Sequence, residues 1–147
     1  MATAAKENPT VEWLGVSYKT ILSTADSNGA MCIVDSTSPP DSGPPRHIHH
    51  NEDETFVILT GSCRVWIEGE EQVAQAGESV FIPRGKDHTF KVTGNEPCRH
   101  LVILTPGGFE GFFADMAVGQ FNIPDDMPSI EESAKRHNMS FTGPPLD

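Results

Sequence analysis

The chain has 147 residues, the usual length of a single domain and enough to bury a core without disulfide bonds. Its formal net charge is −11 and no cluster of Lys and Arg interrupts it, which argues against nucleic acid and anionic membranes as partners, since both bind basic surfaces. Cys32, Cys63 and Cys98 are odd in number and widely spaced, so the composition does not suggest a disulfide framework.

The first residues of the chain are small and polar. They contain no apolar core of the length that a signal peptide needs. No later stretch approaches the roughly 18 consecutive apolar residues that span a bilayer. We therefore expect a cytoplasmic protein with a flexible tail at residues 1–10.

Short strands separated by turns are predicted from residue 11 to residue 105. The 13 glycines and 12 prolines favour many short elements over a few long helices. Apolar runs at 30–35, 77–83 and 98–106 are each bounded by turn residues, and Thr60-Gly61-Ser62 reads as the turn of a hairpin. Strands this short and this evenly spaced predict an all-β sandwich or barrel.

The composition changes after residue 105. Four apolar side chains follow at helical spacing, namely Phe109, Phe112, Phe113 and Met116. They predict an amphipathic helix over 108–119, and a second short helix is predicted over 129–138. We expect residues 106–147 to form a helical extension packed on the barrel and to end in a tail. The apolar stripe would either close the barrel mouth or, more commonly for such stripes, cover an outer sheet face or a subunit contact.

Three histidines and one glutamate stand where short strands can direct them to one point. Alternate side chains of a strand share a face, so His47 and His49 point the same way. The polar turn at 50–53 reverses the chain before Glu54, and the bend at Pro83-Arg84-Gly85 precedes His88. Three imidazoles and one carboxylate suit one divalent transition metal: Fe, Mn, Ni, Co, Cu or Zn. An octahedral metal held by four protein ligands keeps two positions open for substrate, water or O2.

A group of surface histidines beside an acidic turn is the competing interpretation. An isolated H-x-H pair would favour it, but the glycines and prolines here build the turns that a metal site needs. His50 has the opposite strand parity and is expected to lie outside, and Glu52 and Asp53 are expected in a solvated turn. His100 is either an additional neighbour of the metal or, more commonly for a single histidine, a hydrogen-bonded core or surface residue.

Apolar side chains near the ligands are candidates for a substrate pocket. Six residues are predicted to line it: Phe56, Ile58, Phe90, Val92, Tyr18 and Met31. Four of these share strand faces with the metal ligands, and each is equally compatible with an ordinary core position.

The stretch from residue 43 to residue 92 resembles the two sequence motifs of the cupin superfamily. The first motif is matched by His47, His49, Glu54 and Gly61, and the second by Gly77, Pro83, Gly85 and His88. Two positions depart from the family pattern: Gly43 is closer to the first histidine than usual, and Val92 stands where the family often has Asn. The resemblance implies a cupin jelly-roll β-barrel, also called a double-stranded β-helix, over residues 11–105, with short C-terminal helices.

A finer resemblance concerns small bacterial cupins grouped with the quercetin 2,3-dioxygenases. It rests on the H-x-H-x-x-x-x-E-T-F run, the segment 105–113 and the FTGPP sequence near residue 145. It implies a dioxygenase that cleaves a flavonol-like or other enolisable aromatic substrate with O2, in which Glu54 is both a metal ligand and the general base.

Two other functional classes remain open at this point. One is a non-redox metal-dependent cyclase, isomerase or lyase that uses Zn as a Lewis acid, and the other is a small-molecule-binding cupin without catalysis. A homodimer is expected by analogy with other cupins, because the strand at 54–60 is apolar on both faces and needs cover on each.

Overall fold

The computed structural model describes residues 8–147, so most of the expected tail lies outside the described part. Ten strands occupy residues 11–105: β1 (Val11–Trp13), β2 (Val16–Leu22), β3 (Cys32–Ser38), β4 (Arg46–His49), β5 (Asp53–Thr60), β6 (Ser62–Ile67), β7 (Glu70–Gln75), β8 (Ser79–Ile82), β9 (His88–Val92) and β10 (Cys98–Thr105). They are followed by α1 (Glu110–Gly119), α2 (Met127–Arg136) and β11 (Met139–Gly143).

The strands form two antiparallel sheets. The order is β1-β2-β3-β10-β5-β8 in the six-stranded sheet and β11-β4-β9-β6-β7 in the five-stranded sheet. The predicted hairpin at Thr60-Gly61-Ser62 is wrong, because the chain passes there from β5 in one sheet to β6 in the other. Gly61 has a φ of 79°, and a Cβ there would collide with the carbonyl oxygen of Pro97. The mostly-β architecture with short C-terminal helices confirms the predicted jelly-roll fold.

Alternating burial along the strands places one face of each sheet in the core. In β3 and β10 every second side chain is buried while its neighbours are partly exposed. The buried set includes polar residues as well as apolar ones, because Ser36, Ser38 and His100 point inward beside Val34 and Val102. The interior between the sheets is therefore not uniformly apolar.

The C-terminal segment contains a strand that the sequence analysis did not anticipate. β11 pairs antiparallel with β4, with Met139 opposite His49 and Phe141 opposite His47. The expectation of a tail here is wrong, because Met139 is only 5% exposed and the backbone of the segment completes the edge of the five-stranded sheet. Thr142 and Gly143, followed by Pro144 and Pro145, have the composition of a loop, which explains why the sequence did not indicate a strand.

Polar contacts attach α1 to the barrel and α2 to α1. The Glu110 carboxylate accepts two hydrogen bonds from Thr24, one from its backbone N–H and one from its Oγ1, each 2.6 Å long. Asp115 on α1 accepts a hydrogen bond from Ser133 on α2, at 2.6 Å, and one from Arg136, at 2.9 Å. Within residues 8–147, neither helix has the length and apolar character required to cross a membrane.

Candidate metal centre

Three strands bring four candidate ligands together between the sheets. His47 and His49 come from β4 and His88 from β9, where His47 and His88 are direct cross-strand partners. Glu54 comes from β5 in the opposite sheet. One ligand atom from each of the four residues lies within 4.8 Å of all the others, and all four side chains are buried. The geometry is that of a site which could bind one metal ion.

Backbone carbonyls orient two of the three imidazoles. The Nδ1 atom of His47 donates to the carbonyl oxygen of Pro45 at 2.7 Å, and Nδ1 of His88 donates to that of Lys86 at 2.9 Å. Since a carbonyl oxygen only accepts, each Nδ1 carries a proton and Nε2 is the ring nitrogen turned toward the centre, where it can bind a metal once it carries no proton of its own. The chain thus fixes the tautomer that a metal ligand requires.

The third imidazole faces a side chain instead. Nδ1 of His49 lies 3.7 Å from Oε1 of Glu52, and both residues are 3% exposed. The expectation that Glu52 lies in a solvated turn is wrong, because the turn folds this carboxylate back against His49. Only Asp53 behaves as expected of a surface residue, pairing with Arg84 at 3.2 Å. No local signal in the sequence identifies this contact, because it depends on how the turn at 50–53 folds.

Glu54 lies between two of the histidines. Its Oε1 accepts a hydrogen bond from Nε2 of His88 at 3.0 Å, and its Oε2 lies 3.6 Å from Nε2 of His49. Burial by itself raises the pKa of Glu54, but the charge of His49 and the hydrogen bond from His88 outweigh it and lower the pKa to about 2. Glu54 is therefore a carboxylate at neutral pH, an anionic oxygen donor among three nitrogen donors.

The protonation of the histidines differs with their surroundings. Burial, followed by the charges of His88 and His49, keeps the pKa of His47 well below its ordinary value. Burial also lowers the pKa of His88, but the hydrogen bond to Glu54 outweighs that effect and raises it. His88 and Glu54 share a proton here, and a divalent cation would compete with that proton for the same ligand atoms.

A cavity of about 320 Å³ opens beside this cluster. Of the residues predicted to line a pocket, Tyr18, Phe56 and Phe90 do so. Ile58 and Val92 do not: both are 1% exposed and packed into the core cluster. Met31 also lies outside the cavity lining, since it precedes β3 and has the opposite parity to the inward-facing residues of that strand.

The start of α1 forms one wall of the cavity. The Phe109 ring lies edge-on to His49 with 4.5 Å between centroids, and Phe113 stacks on Tyr18 at 4.4 Å. Phe112 meets Trp13 edge-on at 6.1 Å. The sequence left two roles open for this apolar stripe: closing the barrel mouth, or covering an outer sheet face or a subunit contact. The structure shows the first role, because the stripe covers the barrel interior next to the ligands.

The two remaining histidines of the barrel lie apart from the ligand cluster. His50 is exposed and its Nε2 lies 2.8 Å from the hydroxyl of Ser140. His100 is 1% exposed, lines the cavity, and lies edge-on to Phe56 and Phe90 at 5.2 Å from each. Neither belongs to the ligand group found among the described residues.

Comparison with known proteins gives a family match, curated proteins of similar sequence and solved structures of similar fold. Residues 35–104 match the family described as "Cupin domain". Quercetin 2,3-dioxygenase of Bacillus subtilis is 25% identical over 96 residues, which cover 65% of this chain and 28% of that protein. The tetracenomycin polyketide synthase protein TcmJ of Streptomyces glaucescens is 32% identical over 60 residues, 41% of this chain and 40% of that protein.

The chain therefore aligns with less than half the length of each of these two curated relatives. Among solved structures, KdgF from Halomonas sp. superposes with a TM-score of 0.61 at 17% identity. That superposition covers 73% of this chain and 91% of the other, and it supports the fold alone.

Proposed function

Because the chain belongs to the cupin superfamily, we propose that it is a metal-dependent dioxygenase that cleaves a flavonol-like or other enolisable aromatic substrate with O2. The observation that carries this proposal is the position of the buried His47, His49, Glu54 and His88 cluster beside a cavity walled by aromatic rings. The similarity to quercetin 2,3-dioxygenase of Bacillus subtilis supports the choice of chemistry.

Glu54 has two roles in this proposal. A divalent metal held by the four residues would supply Lewis-acid polarisation, which lowers the pKa of a substrate hydroxyl next to a carbonyl. Glu54, the carboxylate of the cluster, would accept the proton from a hydroxyl acidified in this way. Its second role is to remain one of the four ligands.

The aromatic walls bind and orient the substrate. Phe56 and Phe90 lie edge-on to each other at 5.4 Å, and Phe109 adds a third ring above His49. A planar aromatic molecule packs well against such surfaces, and its burial excludes water from the reacting end. Positioning of the enolisable group beside Glu54 is the contribution of these side chains to the rate.

A non-redox reaction at the same site is the second candidate. The tetracenomycin polyketide synthase protein TcmJ is 32% identical over 60 residues, a higher identity over a shorter stretch than the dioxygenase match. Cyclisation, isomerisation or elimination would use the same ligands and the same proton acceptor, with Zn as the Lewis acid and without O2.

We also propose that the enzyme is a homodimer in the cytoplasm. Leu59 on β5 and Phe81 on β8 are 37% and 58% exposed on the outer face of the six-stranded sheet, where a second copy would cover them. The three cysteines are all free and buried, as suits a reducing compartment. Sedimentation velocity should give a dimer that Phe81→Glu converts to monomer, whereas Val118→Glu, an exposed site on α1, should leave it unchanged.

The test of the reaction combines metal content with O2 uptake. The protein is purified without a metal-binding tag, loaded in turn with Fe, Mn, Ni, Co, Cu and Zn, and assayed with 3-hydroxyflavone in an oxygen electrode. We expect stoichiometric metal and flavonol-dependent O2 loss that Glu54→Gln abolishes and His50→Ala leaves intact. Tightly bound Zn with no O2 loss on any enolisable substrate favours the second candidate, and failure to bind any metal contradicts both.

A further inference from the structure

A second set of polar side chains lines the cavity, and the reaction proposed above does not use it. Tyr18 on β2 is the direct cross-strand partner of Ser36 on β3, and Ser36 is the direct partner of His100 on β10. All three residues line the cavity. We call Tyr18, Ser36 and His100 the polar row, since they cross three neighbouring strands of the six-stranded sheet side by side.

His100 is the most unusual member of the polar row. It is 1% exposed, and its Nδ1 is buried without a hydrogen-bond partner among the described residues. Its ring contacts Phe56 and Phe90, and its polar neighbours are Ser36 on the adjacent strand and the hydrogen-bonding thiol of Cys98. Its Nδ1 stays unpaired, and because burying an unpaired polar atom opposes folding, packing alone does not account for a histidine here.

The polar row lies at some distance from the ligand cluster. His100 is paired with Ile58 on β5, whereas Glu54 is paired with Leu104 on β10. Glu54 and Ile58 are four positions apart, which corresponds to about 13 Å along the strand. The aromatic ring of Phe56 lies between them on the same face of β5, so the cavity has a polar end at each extremity and an apolar middle.

The charges around the cavity restrict what its second polar end can bind. None of the described residues that line it is a Lys or Arg, and Glu54 is its one carboxylate. A carboxylate or phosphate on the ligand would find no cation there. The hydroxyls of Tyr18 and Ser36 and the imidazole of His100 can each donate or accept, which suits a neutral phenol or carbonyl oxygen.

We propose that the polar row binds the far end of the substrate. The substrate class is then an elongated aromatic molecule of two or three rings, with an enolisable oxygen pair at the metal end and a neutral hydroxyl or carbonyl oxygen at the other. The volume of about 320 Å³ is at the lower end of the range for small-molecule sites and limits the molecule to this size. The assignment of the metal end rests on the proposed function, whereas the polar row is an independent recognition element.

Binding of three related probes tests the inference without turnover. The probes are 3-hydroxyflavone and its 4′-hydroxy and 7-hydroxy derivatives, which carry the added hydroxyl at opposite ends of the skeleton. Dissociation constants are measured by fluorescence titration of the metal-loaded protein under anaerobic conditions. We expect one derivative to bind about tenfold more tightly than 3-hydroxyflavone, the effect of one added buried hydrogen bond.

Variants of the polar row should remove this preference specifically. Tyr18→Phe, Ser36→Ala and His100→Leu should each reduce the ratio of the dissociation constant of 3-hydroxyflavone to that of the preferred derivative. Each variant should leave the affinity for 3-hydroxyflavone itself within about twofold. Val102→Ala is the matched control, because Val102 lines the cavity on the same strand as His100 but offers no polar group. It should weaken all probes alike. If His100→Leu does not fold, the two hydroxyl deletions decide the outcome.

Several results would overturn the inference. Equal affinity for all three probes, failure to bind any of them, or a preference that persists in both Tyr18→Phe and Ser36→Ala would each show that the polar row does not bind the ligand. Equal affinity together with flavonol-dependent O2 uptake would reject the polar row and keep the proposed reaction. A preference for one derivative without O2 uptake would reject the reaction and keep the polar row.

Discussion

The carboxylate of Glu52 and Nδ1 of His49 face each other at 3.7 Å, and neither atom has a hydrogen-bond partner among the described residues. The other two histidines of the cluster are oriented by backbone carbonyls, which no side-chain substitution removes. His49 is thus the one imidazole of the cluster whose Nδ1 faces a side chain and not a backbone carbonyl. This difference makes Glu52 a positioning residue that can be tested directly.

We predict that Glu52→Ala lowers the affinity for the metal by about 10- to 100-fold, because His49 loses the carboxylate that faces its Nδ1. Glu52→Gln should lie in between, since an amide oxygen can still accept from Nδ1. Competition with a chromophoric chelator measures the affinities. Glu131→Ala, which removes an exposed carboxylate on α2, is the control. Equal affinities for Glu52→Ala and the control would contradict the role given to Glu52.

Substitution of a candidate ligand should affect metal binding, whereas substitution of the adjacent His50 should not. We predict that His47→Ala and His88→Ala abolish stoichiometric metal binding, whereas His50→Ala retains it, because His50 is exposed and lies outside the cluster. Elemental analysis after dialysis measures the metal content. At a metal concentration 100 times the dissociation constant, the wild-type fold should gain about 2.7 kcal/mol. A chelator should therefore lower the Tm of the wild type and of His50→Ala but not of His88→Ala.

The aromatic contact between α1 and the cluster should contribute to stability. Phe109 is 3% exposed, so Phe109→Ala leaves a cavity and should cost about 3 kcal/mol of unfolding free energy. Urea denaturation measures this value. Val118→Ala is made in the same helix at a side chain that is 88% exposed, and it should change stability by less than about 0.5 kcal/mol. A Phe109 variant as stable as the Val118 variant would mean that α1 does not pack on the cluster in solution.

The attachment of α1 at Glu110 should depend on pH. Burial raises the pKa of Glu110, but hydrogen bonds from Thr24 outweigh this effect and lower it below its ordinary value. Because the pKa is lower in the folded than in the unfolded state, the contribution to stability is present at neutral pH and is lost as the pH falls through the folded-state pKa.

We therefore predict that Glu110→Gln destabilises the protein at pH 7 by about 1 kcal/mol, a value reduced by the partial exposure of this carboxylate. The difference from the wild type should vanish in acid, where the wild-type carboxyl is protonated as well. Thermal unfolding of both proteins between neutral and acidic pH measures it. A difference that does not change with pH would mean that the effect of the substitution is not electrostatic.

The ligand cluster was accessible from the sequence because its signals are local. Strand parity placed His47 and His49 on one face, and the turn residues before Glu54 and His88 set the next two strands. The jelly-roll fold follows from the same short, regularly spaced elements and is confirmed. Metal binding by these residues stays a prediction.

The remaining features depend on contacts between distant parts of the chain. Phe109 packs on His49 across sixty positions, a distance in sequence that periodicity cannot bridge. The polar row became visible only when the register of β2, β3 and β10 was known, since nothing in the sequence relates Tyr18 to His100. The burial of Glu52 likewise depends on how its turn folds, which residue type alone does not determine.

The pairing of β11 with β4 has a consequence for the order in which the site is completed during synthesis. β4 is made early, but the strand that satisfies the hydrogen bonds on its outer side follows only at Met139–Gly143. Until then β4, with His47 and His49, is an edge strand whose free backbone groups can pair with another chain. Until Met139–Gly143 has been made, the nascent protein can therefore misassociate at the segment that later carries half of the candidate ligands.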